Sequence, residues 1–540
     1  MRVGIIDLLT DTPARGALGR LYAAYFRKQF ISIMPQVIAA WCRQLGHHAF
    51  YATYYGQRDP SSLLPRDLDV VFIAAYTQAS ALAYALAKLY RHERTLTVIG
   101  GPHAKSFPED CARFFDIVVR ECDRALIDDV IRRRIDPPAI VTSGRPLADF
   151  PSLEERMPDI AVSAFRRGRP TVSSVVPVLA SVGCPYSCDF CTDWNSKYVV
   201  LPKERLLADL KFLSENYPGV FVGYHDPNFG VRFDETMDLI ELIPEGRRNR
   251  YIMESSLSVL KESRLPRLKR TNCAYVAPGV ESWGDYSNKA GVGAKLGREK
   301  LEQVVEHFGL LGRYVKGLQA NFIFGADADS GTEPVELTKE FARRLPLVLP
   351  SVNIPTPFGG TPLYDRYLKE GRVLRALPFA FYYPPYLAIT IKNYDPLEYY
   401  GHIINIYEAS NSNAMLRARL STDASRALRF INALRTFAQR RDLAELRLVR
   451  QALAGDARMR AFHEGRTAAL PEFYRRRFEE RLGPHAALVP PAERIPVLPE
   501  PGAHGLAPPA ARAVPSRDGP SRRIAPALQR LAAGAAPAEA

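Results

Sequence analysis

The sequence predicts an α/β protein with more than one domain, beginning with a doubly wound parallel sheet. Strand and helix patterns alternate over the first 145 residues. An apolar run from Val175 to Val182 has the length and β-branching of a buried strand. Residues 396–482 are rich in Leu, Ala and Arg and predict several helices. With 540 residues, 47% of them hydrophobic, the chain is long enough for about two to four domains.

The N-terminal alternation starts with a strand at Val3–Asp7 and a helix over residues 32–45 that Gly46 ends. Further strands are predicted at residues 49–54, 69–75, 96–99 and 116–119, with helices at residues 80–90 and near 125–134. Sheets of this class bind ligands beyond the carboxyl ends of their strands. The candidates there are Thr77, Gln78, Ser80, Gly100 and Gly101. The two glycines would let a large ligand approach the backbone, but they equally suit a simple strand-to-helix turn.

Three cysteines follow the apolar run at Val175–Val182, with the spacing C-x-x-x-C-x-x-C: Cys184, Cys188 and Cys191. Thiolates this close can bind three corners of a cubane iron–sulfur cluster, which normally has four ligands. The fourth iron would then be open to a substrate or cofactor. A zinc site usually closes with four ligands, and no second cysteine pair follows in the sequence. A disulfide framework fits a long chain with seven cysteines poorly, and chance clustering is the remaining alternative.

This cysteine spacing, with Phe190 directly before the last cysteine, resembles the signature of the radical S-adenosylmethionine (SAM) superfamily. The resemblance implies that Cys184, Cys188 and Cys191 bind a [4Fe–4S] cluster whose fourth iron is bound by the amino and carboxyl groups of SAM. It also implies that one electron from the cluster cleaves SAM to a 5′-deoxyadenosyl radical. Phe190 becomes a cofactor-binding candidate, and no catalytic side chain is implied beyond the cluster ligands.

The domain before the cysteines, with Gly-Gly-Pro-His at residues 100–103, resembles the cobalamin-binding class of radical SAM enzymes. The resemblance implies that residues 1–145 form a Rossmann-like (flavodoxin-like) cobalamin-binding domain. Its cofactor-binding candidates are Thr77, Gln78, Ser80, Gly100, Gly101, Pro102 and His103. The D-x-H-x-x-G motif that supplies a lower axial histidine in other cobalamin proteins is absent, as in many radical SAM members. We therefore expect His103 to be a turn or corrin-edge residue rather than a cobalt ligand.

Later segments resemble the same superfamily and imply a partial (βα)6 TIM-type radical SAM barrel over residues 175–375, after a linker at 146–174. The similar segments are the strand ending at residues 225–229, a Gly-Val-Glu-Ser segment at 279–282 and a Gly-Thr-Pro-Leu-Tyr turn at 360–364. Catalytic groups in such barrels gather at the carboxyl ends of the strands. The candidates for SAM binding are Glu254, Ser255, Gly279, Glu281 and Ser282. The substrate-side candidates are Asp226, Asn228 and Asn321, although polar strand caps and an exposed salt bridge would explain some of these residues as well.

The C-terminal third predicts a mostly helical domain at residues 376–483 and a disordered Pro- and Ala-rich tail at residues 484–540. The aromatic segment at residues 377–386 either lines a substrate pocket or packs between domains. The net charge is +14, and Met415–Arg481 holds 16 arginines against 8 acidic residues. No known nucleic-acid-binding pattern accompanies this stripe, so we interpret it as the solvated face of Arg-rich helices and expect no nucleic-acid partner.

These features together predict a cobalamin-dependent radical SAM enzyme that transfers a methyl group to an unactivated carbon, or a phosphinate phosphorus, of a small-molecule substrate. An oxidative cyclase or rearranging enzyme, similar to the anaerobic Mg-protoporphyrin ester cyclase, is the alternative within enzymes. A non-catalytic cobalamin or SAM sensor is the alternative outside them. We expect an electron donor such as flavodoxin or ferredoxin. We also expect a cytoplasmic protein without a membrane span, because neither a secretory signal nor an apolar run of about 18 residues occurs.

Overall fold

The computed structural model describes residues 1–25, 27, 32–144, 147, 149–421 and 426–502, except for the side chains of Leu18, Asn288 and Ala427. In this part of the chain, two parallel β-sheets of six strands each carry the fold, which confirms the predicted α/β class. Within the same ranges, no helix is both long enough and apolar enough to cross a bilayer.

The N-terminal sheet has the strand order β2-β1-β3-β4-β5-β6, and every neighbouring pair is parallel. The order reverses at β1, so the switch point where such sheets bind ligands lies between β1 and β3. The sixth strand was not predicted, because its three residues follow two prolines in a stretch with little periodicity. The elements are β1 (Arg2–Leu8), α1 (Gly16–Tyr25), α2 (Ile33–Gln44), β2 (His48–Tyr54), β3 (Val70–Ala75), α3 (Ser80–His92), β4 (Leu96–Gly100), α4 (Pro102–Ser106), α5 (Pro108–Cys111), β5 (Ile117–Val119), α6 (Arg124–Ile131) and β6 (Ala139–Val141).

The segment predicted as a linker, residues 146–174, contains the helix α7 (Leu153–Ser163). Ser152 and Glu155 form a reciprocal capping box that starts this helix. Asp159 pairs with Arg43 of α2 at 2.6 Å, which ties α7 to the N-terminal sheet. The predicted linker thus contains a helix that the sequence did not indicate. Pro158 inside the helix masked the helical pattern, since proline normally breaks a helix interior.

The second sheet has the order β14-β13-β12-β11-β10-β7, also parallel throughout, as in a partial barrel whose edges are β7 and β14. A short antiparallel pair, β8 with β9, closes the base of the cysteine loop between them. The elements are β7 (Val175–Val178), β8 (Ser181–Val182), β9 (Val199–Val200), α8 (Lys203–Asn216), β10 (Phe221–Tyr224), α9 (Phe233–Glu241), β11 (Tyr251–Ser256), α10 (Leu265–Arg270), β12 (Cys273–Glu281), α11 (Gly297–Tyr314), β13 (Gly317–Ile323), α12 (Glu333–Arg344), β14 (Val348–Asn353) and α13 (Pro362–Lys369).

The C-terminal region is helical, as predicted, and it covers the open edge strand β14. The Gln439 side-chain amide donates to the Pro350 carbonyl at 2.6 Å, and the Tyr407 hydroxyl donates to the Val352 carbonyl at 3.2 Å. One apolar core runs from the N-terminal sheet through the barrel into these helices. The helices are α14 (Pro396–Ser410), α15 (Asn413–Leu420), α16 (Arg426–Gly455), α17 (Ala457–His463) and α18 (Glu472–Leu482).

The segment after α18 corrects the predicted start of the disordered tail at residue 484. Residues 483–488 and 491–493 form short 3₁₀ helices, and Leu488 and Val489 are buried. The Val497 amide donates to the Asp110 carboxylate at 2.8 Å, so the segment reaches back to the N-terminal domain. Pro-rich composition suggested disorder, but a few apolar side chains suffice to bury this segment. Residues 503–540 of the predicted tail lie outside the described residues.

Candidate active site

A cavity of about 460 Å³ lies at the carboxyl ends of the barrel strands, where they meet the N-terminal sheet. Gln78, which follows β3, lines it from the N-terminal side, and Phe190 lines it from the cysteine loop. Tyr382 and Tyr383 of the aromatic segment line a third side. Phe379 of the same segment is buried against His103 and Phe107 of the N-terminal domain. The segment therefore has both of the roles that the sequence left open, since it lines the cavity and packs between domains.

The cysteine loop is held at its base by a sharp turn and a buried carboxylate. Gly183 has φ +70°, and a Cβ at this position would lie 2.2 Å from the Lys197 carbonyl oxygen, so only glycine fits the turn. The Asp226 carboxylate accepts hydrogen bonds from the Ala180 amide at 3.1 Å and the Ser181 hydroxyl at 2.5 Å. Burial raises the pKa of Asp226 to about 6. Asp226 was expected on the substrate side, but it is 3% exposed and supports the loop instead.

Cys184, Cys188 and Cys191 are half-buried free thiols on this loop. The Cys191 amide donates to the Cys188 carbonyl at 3.1 Å, which makes a tight turn between these two cysteines. Across residues 1–502, as far as they are described, no three His, Cys, Asp or Glu side chains converge on one metal ion. Thiols that bind a cubane need not converge in this way, because each binds a different iron. The donor set fits a cluster with three protein ligands.

Glu281 lies at the end of β12 with a left-handed backbone, at φ +66°, which is uncommon for a residue with a side chain. Its side chain folds back over Gly279, where a Cβ would lie 2.2 Å from Glu281 Oε1. The Lys289 ammonium is 3.8 Å from the same oxygen. Burial raises the pKa of Glu281, and the charge of Lys289 opposes the rise. The backbone and Gly279 together fix this carboxylate in the cavity wall.

Three further predicted residues line the cavity at the ends of β10 and β11. The Glu254 side chain is open to the cavity but surrounded by protein, which raises its pKa. The Ser255 hydroxyl donates to the Phe229 carbonyl at 2.8 Å. The Asn228 amide nitrogen is 3.5 Å from the Ser256 hydroxyl, while its Oδ1 atom has no hydrogen-bond partner in the structure. Asn321 of β13 lines the cavity as well.

Ser282 does not line the cavity, contrary to the prediction. Its hydroxyl donates to the Asp329 carboxylate at 2.7 Å, and Asp329 also accepts from the Gly325 amide at 2.9 Å. The buried Ser282 thus fixes the loop after β12 rather than facing a ligand.

Among the residues predicted on the cobalamin side, only Gln78 lines the cavity. Thr77 and Ser80 are buried. Gly100, Gly101 and Pro102 form the turn into α4 outside the cavity lining, and a Cβ on Gly101 would lie 3.1 Å from the Ala75 carbonyl oxygen. That glycine therefore allows close packing between β4 and β3, as the simple-turn alternative proposed.

His103 is fully buried in α4, directly after the Gly-Gly-Pro turn, so of its two expected roles the structure favours a turn residue over a corrin-edge residue. Its Nε2 atom is 2.6 Å from the Tyr84 hydroxyl, and its ring packs against Phe107 and Phe379. Burial lowers the pKa of His103 to about 3, so the ring is neutral. The side chain is buried because Tyr84 and Phe379, which are distant in sequence, pack around it.

Lys289, Tyr286 and Gln319 also line the cavity, and they were not among the candidates. Gln319 had a detectable signal, because it shares a strand face with Asn321. Lys289 and Tyr286 lie in the loop between β12 and α11, which carries no pattern from which a site could be inferred.

Comparisons with known proteins agree with this architecture. A family model described as the Radical SAM superfamily matches residues 178–345. The chain is 26% identical over 360 residues to bacteriochlorophyllide d C-8(2)-methyltransferase of Chlorobaculum tepidum, covering 63% of this chain and 77% of that protein.

Two solved structures share the fold. One is the radical S-adenosylmethionine methyltransferase TsrM from Kitasatospora setae with cobalamin and a [4Fe-4S] cluster bound (TM-score 0.52, 14% identity, 83% of this chain and 99% of that one). The other is the cobalamin-dependent S-adenosylmethionine radical enzyme OxsB with aqua-cobalamin bound (TM-score 0.55, 12% identity, 89% of this chain and 76% of that one). At these identities, the likeness extends to the fold alone.

Proposed function

We propose that this chain, which belongs to the radical SAM superfamily, is a cobalamin-dependent enzyme that transfers a methyl group from SAM to an unactivated carbon, or a phosphinate phosphorus, of a small polar molecule. The observation that carries the proposal is the single cavity bordered by Phe190 of the cysteine loop and by Gln78 of the N-terminal sheet. A cluster on one side and a cobalamin on the other could therefore act on one substrate. The Chlorobaculum relative is a methyltransferase by name, which favours methyl transfer over cyclisation.

The cluster would be held by Cys184, Cys188 and Cys191, and when bound it supplies the electron that cleaves SAM. The charges around the cavity suit SAM itself, which carries an ammonium, a sulfonium and a carboxylate. Of the described residues that line the cavity, Glu254 and Glu281 are the carboxylates, and Lys289 is the one lysine or arginine. Two negative groups and one positive group complement the two positive groups and one negative group of SAM.

Cobalamin would bind between the N-terminal domain, residues 1–145, and the barrel, residues 175–375. In the described structure, three buried polar atoms of lining residues lack a hydrogen-bond partner: Asn228 Oδ1, Tyr286 Oη and Tyr382 Oη. Buried polar atoms normally have partners, so we expect ligands to satisfy them. Gln78 and Tyr382 would contact the corrin, whose rim of amide side chains offers both donors and acceptors.

The substrate would contact the wall formed by β13 and β14, where Gln319, Asn321 and Asn353 present neutral amides. The Gln319 carbonyl oxygen accepts from the Tyr275 hydroxyl at 2.7 Å and from the Arg435 guanidinium at 3.0 Å. Its amide nitrogen must then point toward the Asn321 oxygen, 2.7 Å away. The Gln319 and Asn321 NH2 groups each donate one hydrogen to the protein and keep a second N–H, so this row of amides suits a substrate with hydrogen-bond acceptors.

The electron would come from a small redox protein such as flavodoxin or ferredoxin. We place the protein in the cytoplasm, because a cluster held on a half-exposed loop needs reducing surroundings.

Methyl transfer can be tested before the substrate is known. Protein reconstituted anaerobically with iron, sulfide and hydroxocobalamin is reduced and given methyl-labelled SAM. We expect labelled methylcobalamin and S-adenosylhomocysteine. Bound cobalamin that stays unlabelled, with the cluster intact, would contradict methyl transfer and favour cyclisation or a sensor.

A further inference from the structure

The loop between β12 and α11 covers the cysteine loop through residues 285–290, which we call the covering segment. The Tyr286 ring stacks on the Phe190 ring with centroids 5.0 Å apart and planes 7° apart. The Ser287 hydroxyl is 3.8 Å from Cys188 Sγ. The Ser258 amide donates to the Lys289 carbonyl at 3.2 Å, which attaches the covering segment to the barrel. The segment therefore holds Lys289 in a defined position beside the three cysteines.

Lys289 brings a partly buried positive charge to this position. Its side chain is 18% exposed, and its Nζ atom is 5.9 Å from the centre of the Phe190 ring. Burial lowers the pKa of Lys289, but the charges of Glu281 and of the three cysteines as thiolates outweigh this effect and raise it. In the described part of the cavity wall no other lysine or arginine is present.

Two neighbouring lysines do not have the same role. Lys105 also approaches the loop, but it is 3.3 Å from Asp193 and 3.6 Å from Glu121, so two carboxylates balance its charge. Lys300 is buried outside the cavity lining, 3.4 Å from the Gly284 carbonyl oxygen. Of these three lysines, Lys289 is the one that lines the cavity and also lies next to the cysteine loop.

Building on the proposed function, we propose that Lys289 is a positioning residue for electron entry, whose ammonium raises the reduction potential of the cluster held by Cys184, Cys188 and Cys191. Reduction adds one electron from an external donor to a cluster that already carries three thiolates, with no proton or leaving group involved. The Lys289 ammonium, 5.9 Å from the centre of the Phe190 ring on the cysteine loop, would stabilise the added negative charge more in this partly buried site than in water. Glu281 must have the opposite effect, since its carboxylate disfavours the added electron.

The test is a redox titration of the reconstituted protein without SAM, poised with dithionite and mediators and followed by the electron paramagnetic resonance of the reduced cluster. The variants are Lys289→Met, Lys289→Arg and, as a matched control, the exposed Lys261→Met. At a fixed potential, we expect the ratio of reduced to oxidised cluster in Lys289→Met to be about tenfold lower than in the wild type. This ratio corresponds to a reduction potential lower by about 59 mV for a one-electron couple. Lys289→Arg and Lys261→Met should titrate like the wild type.

Equal potentials for Lys289→Met and Lys261→Met, at equal iron content, would overturn the proposal. If Lys289→Met assembles too little cluster to titrate, Glu281→Gln is titrated instead. Removing that carboxylate should raise the reduction potential of the cluster. An unchanged or lowered potential in Glu281→Gln would then overturn it. Failure of the wild type to bind a cluster is a different result, which would overturn the proposed function itself.

Discussion

Gly279→Ala tests whether the Glu281 carboxylate keeps its position only because residue 279 has no Cβ atom. The new Cβ would lie 2.2 Å from Glu281 Oε1 and 3.0 Å from its Cδ, so the carboxylate must move by about 1 Å to restore an ordinary contact. The backbone of Gly279 is not left-handed, so the substitution itself is not strained. Misplacement of a binding group by about 1 Å can cost on the order of 100-fold in rate. We therefore expect a folded protein that cleaves SAM on the order of 100-fold more slowly.

The assay is the rate of 5′-deoxyadenosine release by anaerobically reconstituted, dithionite-reduced protein at saturating SAM. Gly219→Ala is the matched control, because a Cβ there meets no atom within 4 Å. Iron content and thermal midpoints of the two variants should agree with the wild type. Release by Gly279→Ala as fast as by Gly219→Ala would refute the assignment of the Glu281 carboxylate to SAM.

Three further predictions concern stability and cluster binding. The pKa of His103 is about 3 in the fold and 6.5 when the side chain is exposed, so the stability that depends on its neutral form is complete above pH 6.5 and is lost as the pH falls toward 3. Between neutral pH and pH 5.5, the wild type should lose about 1.4 kcal/mol of unfolding free energy in urea titrations, and His103→Gln should not lose it. The exposed His48→Gln should lose as much as the wild type. Arg481 donates to the buried Asp11 carboxylate at 2.9 and 2.5 Å. Arg481→Met leaves that buried charge unpaired and should lower the free energy of unfolding by about 3–5 kcal/mol, whereas the double variant Arg481→Met with Asp11→Asn should lose less. Equal losses in the two variants would contradict this reasoning. Cys188→Ala should lose the ~400 nm absorbance of the cluster, and retention of a full cluster would refute the ligand assignment.

The part of the site that local sequence determines was predictable. The three cysteines lie within one short loop, so their spacing is visible in the sequence, and Gly183 indicates the turn that precedes them. Glu254 and Asn321 could be assigned to the cavity because the carboxyl ends of parallel strands meet at one edge of a sheet. The N-terminal parallel sheet could be inferred from alternating strands and helices, whereas the second sheet was implied by the resemblance of its segments to the radical SAM superfamily.

Residues whose positions depend on distant partners could not be predicted. His103 is buried because Phe379, 276 positions later, packs against its ring. Gln319 takes its orientation from Arg435, which reaches it from α16. Lys289 reaches the cysteines only because its loop folds back over them, and no residue pattern in that loop encodes the fold. These contacts arise from tertiary packing, which a reading of periodicity and motifs does not include.

We propose that three cysteine thiols hold a cluster with one iron open to SAM. The most direct measurement is 5′-deoxyadenosine release by anaerobically reconstituted wild-type protein after addition of dithionite and SAM. We expect release in proportion to bound iron, and none from Cys188→Ala. Persistent absence of 5′-deoxyadenosine from wild-type protein with a complete, reducible cluster would contradict the claim.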